Sequence, residues 1–591
     1  MEVKTPIRLA ILELGGEAEA SQTLISLKAV LKAFPNLEIE AVVSKSGYEL
    51  FSSAPFIQKV YLFDTLTIDS KLDAVTELES VLERPYKVVF NCSVSETSSY
   101  LTTLIPGTLK LGYGRHLDGT LAIYDAWTAY THALCQASLK QGIHRIDILA
   151  TQLLTCLQLH FQDPVENSEL PVSTKSFFQT KPDGPMELPN WHTMSHKWIA
   201  IELDEHSFSS ALDEATVALA CLELLKSSRE LSVIVLGKTP SGLNEAIFMS
   251  EIERFSKSDS QEFKKSLKTR LFYFSKHFSF QRRIRLVQRL SILITSHPGS
   301  LALASALGVR TLHVADSQVV LAQCGAYGNG HYVTEANTPD ALVAHLLYLQ
   351  QEWRHRGLLH FNEFFSSTRP ELVKPAHSKR LLKSRILPAK EGGGVLYETV
   401  GQEPFQTSSV ISIFHSVLAR DWLCSWVPDL TKTLASIPSH EVQPQLIRDC
   451  LDSAQVLSQI LSSGLGISQQ LHSTVSQLKS ENVMSMLDIE RVQGFAKELR
   501  KIEELIHRAC SIRPELAIFS SYYSIFFNEL ESHKLKPLAE GSIEIFETLI
   551  RGVSLFQSFF ETLLSHKRAT LVPTRAKILR FDRGSKRERG L

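Results

Sequence analysis

The sequence predicts two α/β domains followed by an all-helical region, and three observations predict it. Short apolar runs rich in β-branched residues alternate with amphipathic segments, once over residues 7–159 and again over 198–353. Strands separated by helical patterns of about 10–15 residues build a parallel sheet covered on both faces. Between the two series the chain is rich in Pro, Ser and Thr and reads as a linker. From residue 408 onward Pro and Gly become scarce and apolar residues recur at threes and fours, as in long amphipathic helices. The expected organisation is a first domain over 1–162, a linker over 163–196, a second domain over 197–360, a connector over 361–407, a helical bundle over 408–566 and a basic tail over 567–591.

The elements follow in order. Ile7-Arg8-Leu9-Ala10-Ile11-Leu12 is a first strand, Gly15-Gly16 a turn, and residues 21–34 a helix with apolar positions Leu24, Leu27, Val30 and Leu31. Strands over 39–43 and 56–63 follow, then a helix near 72–82, a strand at Lys87-Val88-Val89-Phe90-Asn91 and a helix over 143–159. The second series runs through a strand at Trp198-Ile199-Ala200-Ile201, a helix over 214–225 and the strand Leu231 to Leu236, which ends in Gly237. A helix over 280–290 carrying Arg282, Arg283, Arg285 and Arg289 comes next, and four arginines at that spacing fit a solvated face. A strand at 311–314 and a helix near 340–353 close the series.

The stretch Ile292 to Gly308 is the most informative. A buried-strand run ends at Ser296-His297-Pro298-Gly299, and Ser300 opens a helix of small apolar residues that stops at Gly308. A strand, a Pro-Gly turn and a helix N-terminus together present free backbone N–H groups and the positive end of a helix dipole, which suits a phosphate. Two such domains joined by a linker imply a cleft between them, a preferred place for ligands.

Composition excludes several classes. With 44% hydrophobic and 21% charged residues the 591-residue chain is ordinary for folded domains, and a formal charge of -1 argues against nucleic acid as the partner of the whole protein. The eight cysteines are scattered, with no C-x-x-C pair, so neither a metal site nor a disulfide framework is indicated. The opening MEVKTPIRLAILELGG has no cationic segment followed by a long apolar core, and no run approaches the roughly 20 apolar residues of a spanning helix. The expected location is cytoplasmic.

These residues resemble the lipopolysaccharide heptosyltransferases, glycosyltransferase family 9, over Ile7 to Trp353. Ser26-Leu27-Lys28-Ala29-Val30-Leu31-Lys32-Ala33-Phe34-Pro35 is similar to the family's P-A-L-R-x-L-x-x-x-F-P helix end. Leu111-Gly112-Tyr113 is similar to its R-x-G-Y/F strand, and His144-Arg145-Ile146-Asp147 to a helix start led by histidine. Gly299 through Gly308, followed by Gly325-Ala326-Tyr327-Gly328, is similar to D-S/T-G-P-x-H-L-A-A-A-L-G and then G-P-Y-G. The resemblance implies two Rossmann-like domains in the GT-B arrangement and an inverting, metal-independent transfer of a sugar from a nucleotide-diphosphate donor, with no further cofactor. It also implies a proton-accepting carboxylate at Glu17 or Glu19. The donor would be held by Gly237, Lys238, His297, Gly299, Ser300, Gly325, Tyr327 and Gly328.

The chain departs from the family where the chemistry lies. His297 stands at the donor motif's aspartate, Ser300 at its proline and Ala302 at its histidine. The family's Lys-x-Trp is missing, and Glu202-Leu203-Asp204-Glu205-His206 stands in its place. An acidic run there repels a diphosphate unless it points away or Arg282, Arg283, Arg285 or Lys238 compensates it.

The helical region carries no catalytic spacing. Its stripes (Leu446 to Leu461, Met486 to Ile506, Ile543 to Leu564) read as an antiparallel bundle, and Phe519, Tyr522, Tyr523, Phe526 and Phe527 as its core. The tail, with basic residues from Lys567 to Arg589, reads as contact with an anionic membrane face or as a solvated terminus. Two functions therefore stand. One is a divergent heptosyltransferase-like enzyme acting on a cell-envelope or other glycan acceptor, placed first. The other is a catalytically inactive GT-B scaffold that holds a partner through its bundle and tail. A cradle at Gly299 plugged by side chains, or both glutamates turned from the gap, would remove the first.

Overall fold

The computed structural model describes residues 6–63, 79–83, 85–136, 143–161, 197–202, 214–227, 229–236, 245–274, 280–315, 325–328, 330–334, 345–346, 348–349, 381–387, 394–399, 444–478, 486–529 and 535–584. The chain divides into two compact units: 1–121 with 143–387 and 394–407, and 122–142 with 388–393 and 408–591.

The first half of the α/β unit begins with β1 (Ile7–Glu13), α1 (Glu17–Ala33), β2 (Leu37–Val43), α2 (Lys45–Ser52), β3 (Ile57–Leu62), α3 (Glu79–Leu82), β4 (Tyr86–Asn91), α4 (Glu96–Leu104) and β5 (Gly107–Leu111). The short pair β6 (Tyr113–Arg115) and β7 (Leu121–Ile123) leads to α5 (Ala126–Gln136) and α6 (Arg145–Phe161). The first sheet has the order β3-β2-β1-β4-β5 and is parallel throughout. Its inner strands β1, β2 and β4 are buried along most of their length because helices cover both faces.

The second half contains β8 (Lys197–Glu202), α7 (Glu214–Ser227), β9 (Leu231–Leu236), α8 (Glu245–Phe255), α9 (Gln261–Arg270), β10 (Leu271–Phe274), α10 (Phe280–Arg289), β11 (Leu290–Thr295), α11 (Pro298–Leu307), β12 (Arg310–Val314) and β13 (Tyr332–Thr334). The second sheet has the order β10-β9-β8-β11-β12-β13, parallel. Two antiparallel strands extend it, β14 (Leu381–Leu387) and β15 (Gly394–Thr399). The stretch expected as connector, 361–407, thus supplies an edge hairpin. Its alternation was hidden by the neighbouring Pro and Gly residues, which mark turns as readily as linkers.

Both sheets are doubly wound, with a strand-order reversal between β1 and β4 and again between β8 and β11, the places where such sheets open a crevice. Two doubly wound sheets in one unit form the GT-B class of fold, as expected. The expected helices near 72–82 and 340–353 and the linker fall largely or wholly outside the described residues.

One apolar core runs through both halves. It joins Leu9, Ile11, Leu24 and Leu27 to Leu293, Leu303, Ala304 and Ala306. α1 is buried nearly all round, from Ala20 to Val30, because sheet, α6 and α11 each take a face. The small residues of α11 let it lie close against α1.

The helical unit consists of α5 with α12 (Pro444–Leu478), α13 (Met486–Ile512), α14 (Ala517–Glu529) and α15 (Leu535–Gly584). α12 packs on α13 and α15, and α14 on α5, α13 and α15. Phe519 and Tyr523 are fully buried, and Phe519 meets Phe556 edge-on at 6.3 Å between ring centroids. α5, expected to belong with the first α/β domain, instead buries Trp127 and Tyr130 in this unit. The backbone of α15 stays helical to Gly584, into the stretch expected as a tail. Among the described residues no helix is long and apolar enough to cross a membrane.

Candidate functional site

The N-termini of α1 and α11, each following a strand at its sheet's order reversal, meet at Glu17 and Gly299. α11 starts where the sequence placed it. Pro298 sits at its first position, the His297 ring nitrogen Nδ1 accepts from Ser300 N at 3.3 Å as the N-cap, and Gly308 at φ 68° ends it. The capping imidazole therefore already takes one of the backbone donors expected to face a phosphate.

Arg283 from α10 fills the rest of the turn. Its Nη2 donates to Ser300 Oγ, and its Nη1 donates to Glu17 Oε2 at 2.9 Å with Oε1 at 2.8 Å. Glu202, at the end of β8, lies 3.9 Å from the same guanidinium. Burial works against the charge on Arg283, but Glu202 and Glu17 outweigh it, and its pKa is raised. So Arg283 is not on a solvated face as the sequence suggested: α10 turns this one of its four arginines toward Glu17 and Ser300. It also answers the acidic residue at position 202. Ser300 is fully buried, and a Cβ built on Gly299 would lie 2.9 Å from His297 Cε1 and 3.3 Å from Glu17 Cδ. The cradle expected to be open to a donor is plugged by the chain's own side chains.

Glu19 is exposed and folds back over the preceding turn, its Oε2 3.1 Å from where a Cβ on Gly16 would stand. Its carbonyl accepts from Arg145 Nη1 at 2.9 Å. The buried carboxylate beside this loop is Glu13, one residue past the strand expected over Ile7 to Leu12 and not among the candidates. Glu13 is paired with Arg145 at 2.9 Å and accepts from Thr23 Oγ1 at 2.5 Å, Ser93 Oγ at 2.9 Å and Gly15 N at 3.0 Å. With its lone pairs so fully used, it holds the β1–α1 turn and has no capacity left for substrate.

The loop Gly325 to Gly328 turns to the first half of the unit. Tyr327 OH donates to Asp147 Oδ1 at 2.6 Å, Tyr327 N donates to Ser305 Oγ at 3.0 Å, and His144 Nε2 lies 3.0 Å from Gly325 O. The His144 and Tyr327 rings meet edge-on at 5.1 Å. Burial lowers the pKa of His144, with Asp147 and the Gly325 carbonyl opposing. Gly328 has φ 143°, and a Cβ there would stand 2.6 Å from His331 Nε2. Two motifs that carried the resemblance, far apart in sequence, thus bind each other.

Gly237 and Lys238 lie outside the described residues. Among the described residues no group of three or more His, Cys, Asp and Glu is placed to hold a metal. The helical unit keeps a groove of 610 Å³ along α12 and α13, lined by Gln469, Gln470, Ser473, Thr474, Arg491 and Phe495 among others.

No family model matches the chain, and no curated protein does. Solved structures similar to it include the E. coli heptosyltransferase WaaC with ADP, 15% identical, covering 55% of this chain and 91% of that one with a TM-score of 0.37. A glycosyl transferase family 9 protein from Veillonella parvula is 13% identical, covering 62% and 93% with a TM-score of 0.37. The UDP-GlcNAc 2-epimerase of Neisseria meningitidis bound to UDP-GlcNAc is 11% identical, covering 52% and 82% with a TM-score of 0.27.

Proposed function

We propose that this protein is a glycosyltransferase-like GT-B scaffold: its α/β unit is held as one body, and its helical unit, through the groove on α12 and α13, engages a partner. The observation that carries this reading is the plug of Glu17, Arg283 and His297 at the turn where a donor diphosphate would sit. Two carboxylates face the Arg283 guanidinium there, so its charge is already taken up within the chain. Contact of the basic tail with an anionic membrane is part of the same proposal.

One observation favours the second reading, transfer of a sugar from a nucleotide-diphosphate donor to a cell-envelope or other glycan. The fold brings Glu17, the candidate base, beside Gly299, the candidate cradle, although the two lie far apart in sequence. In that reading Glu17 or Glu19 takes the acceptor proton, Arg283 and Ser300 hold the diphosphate, and Gly237, Lys238 and the Gly325–Gly328 loop complete the donor side. Thermal shift of the full chain with ADP-, UDP- and GDP-sugars separates the two. The scaffold shows no stabilisation by any of them. Micromolar stabilisation by one, abolished in Arg283→Gln, replaces the scaffold with the transferase.

A further inference from the structure

We propose that the helical unit pairs with a second copy of itself, α13 crossing its counterpart end for end at Gly494 so that Arg491 of each copy meets Glu498 of the other. The inference rests on the scaffold reading, in which the groove on α12 and α13 takes a partner, and names that partner. α13 turns Leu499, Ile502, Ile506 and Cys510 inward. Leu487, Arg491, Gly494, Glu498, Lys501 and Leu505 follow one another at alternating fours and threes, so they share a different stripe, and all six are exposed. Leu487 is 69% exposed and Leu505 44%, apolar surface that the chain leaves in water and that association would bury. Gly494 lies in the middle of this stripe. Glycine is disfavoured inside a helix, and a Cβ here would meet nothing within 4 Å, so packing within the chain does not call for it. What it supplies is a low point on an exposed face, where a second helix approaches more closely than a side chain would allow. Arg491 and Glu498 stand one turn to either side, and neither side chain has an ion-pair or hydrogen-bond partner among the described residues. In an antiparallel crossing at Gly494 these two positions come opposite one another, and a two-fold axis makes the contact twice, each time between opposite charges. Lys501 then lies against Leu487, which its aliphatic stem covers. Arg491 also borders the groove, with Phe495 one turn on, so the second helix enters beside α12. A partner of one charge would find both signs on this face; a second copy, turned end for end, finds each sign matched.

The test is sedimentation velocity of the full chain over a concentration series, with wild type, Arg491→Glu, Glu498→Arg and an equal mixture of those two variants. Wild type sediments as a dimer. Each variant alone brings like charges together at both contacts and weakens the dimer by about tenfold or more. The mixture regains it, because each variant supplies the charge that the other has reversed. Gly494→Leu fills the crossing point and also gives monomers. All three are changes of exposed positions, and their far-ultraviolet circular dichroism matches that of wild type. A wild-type chain that stays monomeric throughout the series overturns the proposal. So does a dimer that the single variants leave unchanged, or one that the mixture fails to restore. Each of those results leaves the scaffold reading standing, with a different protein in the groove. Stabilisation by a nucleotide sugar removes the scaffold reading and leaves the dimer in place.

Discussion

The residues that resembled a donor site turn out to be occupied with one another. Asp147 and Tyr327, His144 and Gly325, Glu17 and Arg283 are each partners between the two halves of the α/β unit. Sequence spacing identifies which residues are chemically able, but a carboxylate's role depends on what lies within a few ångströms, and every partner here comes from elsewhere in the chain. Histidines of the second sheet make a prediction at this scale. His313 and His331 are buried, and burial pushes the pKa of each down to about 4, with Arg310 adding to the effect at His331. Unfolded, each titrates near 6.5. Above that value neither state is charged and their contribution to stability is complete. As pH falls from about 6.5 toward 4, the unfolded chain binds protons that the folded one refuses, so stability drops by roughly 1 kcal/mol per histidine per pH unit. Urea midpoints at pH 7 and pH 5 measure the fall, and His313→Gln should reduce the difference between them. An undiminished difference would mean that His313 is charged when folded.

At the level of single elements, local signals were good where a cap or a strict period is written in the sequence. Pro298, Gly308 and the run between them specify α11, and the stripe from Met486 to Ile506 specifies much of α13. The signals failed for α5, whose aromatic residues carry no clear period, and for the β14–β15 hairpin beside a glycine run. In the bundle, glycines separate packing from propensity. A Cβ on Gly464 of α12 would stand 2.3 Å from Phe546 Cε1 on α15, whereas one on Gly466 would meet nothing within 4 Å. Gly464→Ala should therefore destabilise the helical unit by about 1–3 kcal/mol through overpacking. Gly466→Ala should stabilise it by roughly 0.5–1 kcal/mol, since alanine loses less freedom in a helix. Thermal melts followed by helical circular dichroism distinguish the two, and equal effects of the same sign would mean that α12 and α15 do not cross at residue 464.

Across the whole molecule, the chain leaves the α/β unit at residue 122 to contribute α5 to the helical unit and returns by residue 143. Tyr130 lies within the span expected as the first domain, yet it is fully buried in the helical unit. Calorimetry of the full chain tests this: Tyr130→Ala should lower the melting of the helical unit by an amount equivalent to about 3–5 kcal/mol and leave the α/β unit's transition in place. A shift confined to the α/β transition would return α5 to the first domain. By itself the sequence determined the alternation of strands and helices, the doubly wound class and the helical character of the last third, because periodicity and turn chemistry act between near neighbours in the chain. Only the tertiary structure decided that α1 and α11 close on each other and that Arg283 is tied to Glu17. It alone assigned α5 to the bundle, because burial and charge pairing are set by residues that become neighbours only when the chain folds.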